Sequence, residues 1–273
     1  MMDHPTVAIL GIGAMGEALA AGLLQAGWER DAVVAAARRQ VRRDDVERRM
    51  GIRCLLEPGA ALAGREVLVV AVKPRDVPHL LEQVAGMVRP DQLVLTLAAG
   101  VPISTFERML ERVPVIRAMP NTPAFVREGV TGMAAGHQVT DAHLDRAAAI
   151  LGAVGEVQLM DESLLDAVTA VSGTGPAYVF LLAEALTEAA IREGLPRDVA
   201  ERFVHQTIRG AGHLLTETDL GPAELRAQVT SPGGTTAAAV HVLEGRGFRA
   251  LVEDAVRAAA QRSRELGSSG WDR

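Results

Sequence analysis

Thr6-Val7-Ala8-Ile9-Leu10-Gly11-Ile12-Gly13-Ala14-Met15-Gly16 is the stretch whose reading decides the fold. Residues 6–10 are a short, continuous apolar run with β-branched members, which suits a strand buried on both faces of a parallel sheet. The run enters three glycines at GxGxxG spacing, and residues 17–24 continue with the period of an Ala/Leu-rich helix. Each glycine has a mechanical task in such a unit. Gly11 makes the tight turn, Gly13 lets backbone approach a pyrophosphate, and Gly16 lets helix and strand pack closely. A glycine turn that binds nothing is the plain alternative, but the flanking strand and helix are the context the fingerprint requires.

A second strand is expected over 32–37, ending in Arg38-Arg39 with Arg42 and Arg43 close behind. An NAD-preferring site places Asp or Glu there for the ribose 2′-hydroxyl, whereas guanidinium groups suit a 2′-phosphate. The reading leans to NADPH, with NADH as the alternative. A solvated, basic helix start neutralised by Asp44, Asp45 and Glu47 is the competing account. Further strands are expected over 66–72, stopping at Lys73-Pro74, and over 93–97, stopping at Ala98-Ala99-Gly100. Strands over 115–119, 131–135 and 156–159 follow, with a helix over 141–151 between the last two. Strand ends in an open parallel sheet line the ligand crevice, so the first stops should face the cofactor. Strands alternating with helices specify a Rossmann-type, doubly wound α/β domain over 1–160. From 161 to 273 the strand signal disappears, and helices are expected over 163–171, 176–193, 197–215, 222–229, 236–243 and 248–266.

With 273 residues, two domains are the default, and 48% hydrophobic content is ample for packed cores. A net charge of −6 argues against a nucleic-acid or anionic-membrane partner. Cys54 is the only cysteine, so no internal disulfide can form and a reducing, cytoplasmic setting is expected. The N-terminal residues lack the basic region of a signal peptide. The apolar segment 177–191 is shorter than a membrane span and carries Glu184 and Glu188, so it reads as a buried or interfacial helix. The seven histidines show no metal-ligand spacing, and no metal site is expected.

Near the C-terminus, Val229-Thr230-Ser231-Pro232-Gly233-Gly234-Thr235-Thr236 turns tightly into a helix whose first N–H groups lack intrahelical partners. Such a loop is a receptor for a carboxylate. A helix corner with Thr235 or Thr236 as an ordinary N-cap is the alternative. A carboxylate site together with a nucleotide site suggests a reductase. Lys73 before proline serves as a structural or ribose contact more readily than as an acid. Tyr178 reads as packing, and Asn121 between two prolines as a turn-fixing residue.

Five motifs in order, Gly11 to Gly16, Ala71-Val72-Lys73-Pro74, Arg117-Ala118-Met119-Pro120-Asn121-Thr122-Pro123, Ser172-Gly173-Thr174-Gly175-Pro176-Ala177-Tyr178 and Val229 to Thr236, cover nearly the whole chain. Together they resemble pyrroline-5-carboxylate reductase. The resemblance implies reduction of the C=N bond of L-1-pyrroline-5-carboxylate to L-proline with NADPH or NADH. It places Leu10, Gly11, Ile12, Gly13, Ala14, Met15, Arg38, Arg39, Ala71, Val72, Lys73, Pro74, Leu97, Ala98, Ala99 and Gln228 with the cofactor. Glu162, Ser231, Gly233, Gly234, Thr235 and Thr236 fall with the substrate, Thr236 being the catalytic residue that hydrogen-bonds the ring nitrogen. It also implies an all-α C-terminal dimerisation domain, a homodimer, and assembly of five dimers into a decamer. Thr174 stands where the family commonly has Ser, Pro58 where many relatives have Asn, and Arg38-Arg39 is more basic than the usual turn. These departures bear on the choice of cofactor. Two rivals stand beside this reading. One is a same-architecture enzyme, an imine reductase for another cyclic imine or a β-hydroxyacid dehydrogenase, although 161–171 lacks the lysine the latter needs. The other is a non-enzymatic nucleotide-binding module.

Overall fold

The computed structural model of the chain describes residues 4–268. The chain opens with β1 (Val7–Leu10), α1 (Ala14–Gln25), β2 (Val33–Ala36), α2 (Gln40–Met50), β3 (Arg53–Leu55) and the single turn α3 (Pro58–Ala61). It continues through β4 (Val67–Val70), α4 (Val77–Val84), β5 (Leu93–Thr96), α5 (Ile103–Met109), β6 (Val115–Met119), β7 (Gly129–Ala135), α6 (Asp141–Gly152) and β8 (Gly155–Leu159). The strands form one sheet in the order β3-β2-β1-β4-β5-β6-β7-β8. The pairs among the first six strands are parallel, β7 runs antiparallel to β6, and β8 is parallel to β7. The doubly wound domain read from the sequence is the fold found.

Alternation along the strands explains why their runs are apolar throughout. Val7 and Ile9, with Val33, Ala35, Val67, Val69, Leu93 and Leu95, pack on one face against Leu19 and Leu23 of α1 and Ile150 and Leu151 of α6. Ala8 and Leu10, with Val34, Leu68, Val70 and Val94, pack on the other face against Leu80 and Leu81 of α4 and Phe106 of α5. Successive side chains point to opposite faces, and here both faces are covered. The order β2-β1-β4 reverses the winding direction at β1, which makes the carboxyl end of that strand the topological switch point.

The sequence missed β3. It has three residues, only Cys54 of them is buried, and no apolar run announces it. The expected helix over 163–171 is composite. A 3₁₀ turn over Glu162–Leu164 leads into α7 (Leu165–Val168) and then a π turn over Thr169–Gly173. Thr174 Oγ1 donates to Ala170 O at 2.6 Å, so the threonine that departs from the usual serine fastens the wide turn.

The helices after that turn are α8 (Gly175–Arg192), α9 (Arg197–Glu217), α10 (Pro222–Gln228), α11 (Thr235–Gly245) and α12 (Phe248–Ser268). Two compact units emerge. One runs to Thr174 and includes the chain from Ala259 onward; the other is Gly175–Ala258. In the first unit, Ser263 near the end of α12 is buried and donates through Oγ to Asp166 Oδ1 at 2.6 Å. Within the second unit only Thr187, Ala200 and Val204 are buried. Phe180, Leu181, Phe203 and Leu251 are each more than 60% exposed. Burial of each such side chain is worth roughly 1.5–3 kcal/mol, so a single chain leaves a substantial apolar stabilisation of this unit unused in water. The helical run Glu162–Arg192 is long and apolar enough to cross a membrane by length and composition, a longer apolar run than the sequence reading of 177–191 allowed.

Burial pushes the Cys54 thiol from 9.0 up to about 11, with the nearby Glu47 carboxylate adding to the effect. The unfolded chain therefore gives up this proton first as pH rises. Stability of the native chain should fall between about pH 9 and pH 11 relative to a Cys54→Ala variant, as read from urea midpoints across that range.

Candidate active site

The strand ends at the switch point are stitched together by backbone hydrogen bonds that continue the sheet. Gly11 N–H donates to Ala36 O at 3.1 Å, Ala71 N–H to Leu10 O at 2.9 Å, and Leu97 N–H to Val70 O at 2.9 Å. Leu10, Ala71, Val72, Leu97 and Ala98 are thereby brought to one edge of the sheet, with Arg38 following β2 on the same edge. Ile12 and Ala98 bury their side chains in the cores, so each can offer a ligand only its backbone.

The glycines divide their work as their surroundings dictate. Gly11 has φ +102°, and a Cβ there would lie 2.7 Å from Val72 Cγ1 and 2.9 Å from Ala71 O. A Cβ on Gly16 would meet Gly11 O at 2.2 Å. Gly13 is exposed, with nothing within 4 Å of where its Cβ would stand, and it is the N-cap of α1 without a side-chain cap. Open space over a backbone-only helix start, with amide donors and the positive end of the helix turned toward it, is the shape and charge a dinucleotide pyrophosphate requires. The residues present therefore fit that group.

Arg42 supports this loop. Its Nε donates to Ile12 O at 2.9 Å, Nη1 to Asp45 Oδ2 at 3.1 Å, and Nη2 pairs with Glu17. Arg49 is the second partner of Glu17, and Arg49 first, then Arg42, holds the Glu17 carboxyl below the usual carboxylate range against the effect of burial. Arg43 pairs with Asp44, so two of the arginines following Arg39 are committed to neighbours. Arg38 is 75% exposed and 3.2 Å from Asp76, while Arg39 and Lys73 have no side-chain partner among the described residues.

Glu162 is engaged inside the first unit. Its Oε1 accepts the Ile103 N–H at 2.9 Å and the Arg117 Nη1 at 2.9 Å, and Arg117 is only 8% exposed. This ties β6 and the start of α5, just beyond Ala98 and Ala99, to the segment that enters α7. Asn121 Oδ1 accepts the Val130 N–H at 2.9 Å, which fastens the turn between the prolines.

In the helical unit, Gln228 is exposed at the end of α10, and the loop after it closes through Gly234 N–H to Ser231 O at 3.0 Å, with Gly233 at φ +67°. α11 starts at Thr235, one residue earlier than the sequence suggested, and its N-cap is Gly234. Thr235 and Thr236 therefore stand in the first turn and are not N-caps. Their hydroxyls and that of Ser231 have no hydrogen-bond partner among the described residues. Thr236 is half-buried, and Thr235 and Ser231 are exposed. An uncapped helix start with three spare hydroxyls is a place for a small anionic ligand.

The chain is 41% identical over 267 residues to the pyrroline-5-carboxylate reductase of Pseudomonas aeruginosa, covering 97% of this chain and 98% of that one. It belongs to the pyrroline-5-carboxylate reductase family. Residues 162–266 match the model described as pyrroline-5-carboxylate reductase dimerisation, and residues 6–100 match NADP oxidoreductase coenzyme F420-dependent. The solved pyrroline-5-carboxylate reductase of Coxiella burnetii superposes with a TM-score of 0.92 at 34% identity, covering 98% of this chain and all of that one. That of Plasmodium falciparum, with NADP bound, superposes at 0.88 and 27% identity, covering 98% of this chain and all of that one. As a member of this reductase family the chain is an NAD(P)-dependent oxidoreductase. The apolar helices that a single chain leaves exposed, the run Glu162–Arg192 included, fall within the dimerisation match.

Sequence reasoning passed over Asp76, took Arg42 as one of the basic groups suited to a 2′-phosphate, whereas it is committed to Ile12, Asp45 and Glu17, and saw Arg117 only within a motif. Each acts through a partner 25 to 45 positions distant, and nothing local marks such a pair. Gly16→Ala should weaken NADPH binding at least about tenfold, about 1.4 kcal/mol, because Gly11 must move to clear the new methyl group. Fluorescence titration of the nicotinamide measures it, with far-UV circular dichroism as the control for folding.

Proposed function

We propose that the chain reduces L-1-pyrroline-5-carboxylate to L-proline with NADPH as the preferred donor, and that Thr236 polarises the ring nitrogen. The observation that carries the reading is the uncapped start of α11, with unpartnered Thr235 and Thr236 hydroxyls, in a chain of this family. When bound, the reduced nicotinamide supplies a hydride to the C=N carbon. Everything else is the work of the protein's own groups. The backbone around Gly11, Gly13, Ala14 and Met15 holds the pyrophosphate, and Arg38 and Arg39 take the 2′-phosphate. Ala71 to Pro74 and Leu97 to Ala99 frame the cofactor along the sheet edge, and we assign Gln228 to the cofactor and Glu162 to the substrate.

Ser231, Gly233 and Gly234 receive the substrate carboxylate on backbone donors. This orients the ring so that hydride transfer becomes an intramolecular event. An imine carbon is a poor hydride acceptor until its nitrogen is protonated or hydrogen-bonded. The Thr236 hydroxyl donates to that nitrogen, and the contact strengthens as charge develops in the transition state. Glu162 acts chiefly by keeping the start of α5 in place, given its bonds to Ile103 and Arg117. Two copies associate through α8 to α12, burying the exposed apolar side chains, and five such dimers assemble into a decamer.

Purified protein mixed with NADPH and the five-membered imine should oxidise the nicotinamide, faster than with NADH and faster than with the six-membered cyclic imine. Equal or better turnover of the six-membered imine would assign the site to another substrate. Thr236→Ala should lower kcat about ten- to a hundredfold while leaving NADPH binding within about twofold, with Thr236→Ser retaining most of the rate. Unchanged turnover in Thr236→Ala would remove Thr236 from the mechanism.

A further inference from the structure

The end of β2 and the turn after β4 meet at one carboxylate. Arg38 Nη1 lies 3.2 Å from Asp76 Oδ2, and Arg75 Nε lies 4.0 Å from Asp76 Oδ1. β2 and β4 flank β1 on either side, so this bridge spans the edge of the sheet at the strand that runs into the glycine loop. The other arginines nearby find their carboxylates on α1 and α2: Arg42 and Arg49 on Glu17 and Asp45, Arg43 on Asp44, and Arg48 on Asp45. Arg38 alone among them is paired across the switch point. Its partner is the better fixed of the two: Asp76 is 23% exposed and leads directly into α4, whereas the guanidinium is 75% exposed.

We infer that Asp76 determines cofactor specificity by competing with the 2′-phosphate for Arg38. The inference rests on Arg38 being the 2′-phosphate contact of the proposed function. An ion pair as exposed as this one contributes little to stability, so Arg38 turns readily toward an incoming phosphate. The Asp76 carboxylate remains at the sheet edge, close to the group that must receive a dianion, and like charges at such range oppose each other. The uncharged 2′-hydroxyl of NADH meets no such opposition. Asp76 therefore lowers the advantage that Arg38 and Arg39 give to NADPH and keeps NADH usable. Arg75, 4.0 Å from Asp76 and itself highly exposed, offsets only part of that negative charge, because so exposed a pair is weakly coupled.

The test is direct binding by the full chain, read from nicotinamide fluorescence with NADPH and with NADH at two salt concentrations. Asp76→Asn should tighten NADPH binding about three- to tenfold and leave NADH within about twofold, and the NADPH gain should shrink at high salt as the charges are screened. Asp76→Ser, which removes the same charge with a smaller side chain, should move in the same direction. Weaker or unchanged NADPH binding in both variants, with Arg38→Ala still weakening NADPH selectively, would overturn the role of Asp76 alone. An Arg38→Ala variant that binds both cofactors as the native chain does would overturn the 2′-phosphate reading itself, and the Asp76 inference with it.

Discussion

The constraint on which the nucleotide half depends is a backbone approach that no side chain can enter. Gly16 sits so close to Gly11 that a single methyl group would stand 2.2 Å from the Gly11 carbonyl, and Gly11 itself is pressed against Ala71 and Val72. That closeness lets α1 begin directly over the end of β1, with its first amides turned outward at Gly13. Arg42 and Glu17 then fix the loop from the side of α2, using an ion pair and a guanidinium bond to the Ile12 carbonyl. The edge is completed by β4 and β5, whose ends are bonded to the same ladder. Binding chemistry at this edge is thus a consequence of how strand and helix pack.

The helical half obeys a different physics. Its helices leave Phe180, Leu181, Phe203 and Leu251 in the open, and only three of its side chains are buried. A unit that hides so little apolar surface requires a second surface of the same kind, and the dimerisation match across 162–266 says what supplies it. The start of α11, where the substrate loop is proposed, belongs to this unit.

Most of the sheet was legible in the sequence because strands covered on both faces write themselves as continuous apolar runs. β3 was not, since an edge strand with one buried residue leaves no such run. The π turn at Thr169–Gly173 was also hidden, because a single i to i+5 turn is too short to leave a period of its own in the apolar pattern. The glycine loop and the Ser231 to Thr236 loop could be read from glycine and proline placement alone. Their supports could not: Arg42 reaches Glu17, Arg117 reaches Glu162 and Arg38 reaches Asp76 only after the sheet has set strand order. Polar contacts of that range follow from topology, and a single sequence encodes them nowhere locally.

The central claim is that hydride passes from the nicotinamide directly to the imine carbon of a bound five-membered ring. NADPH carrying deuterium at the transferable C4 position, incubated with the enzyme and L-1-pyrroline-5-carboxylate, tests this most directly. The account predicts L-proline bearing one deuterium at C5, seen by mass spectrometry and proton NMR, with one oxidised nicotinamide formed per proline. Proline without deuterium at C5, or oxidised nicotinamide without proline, would contradict it.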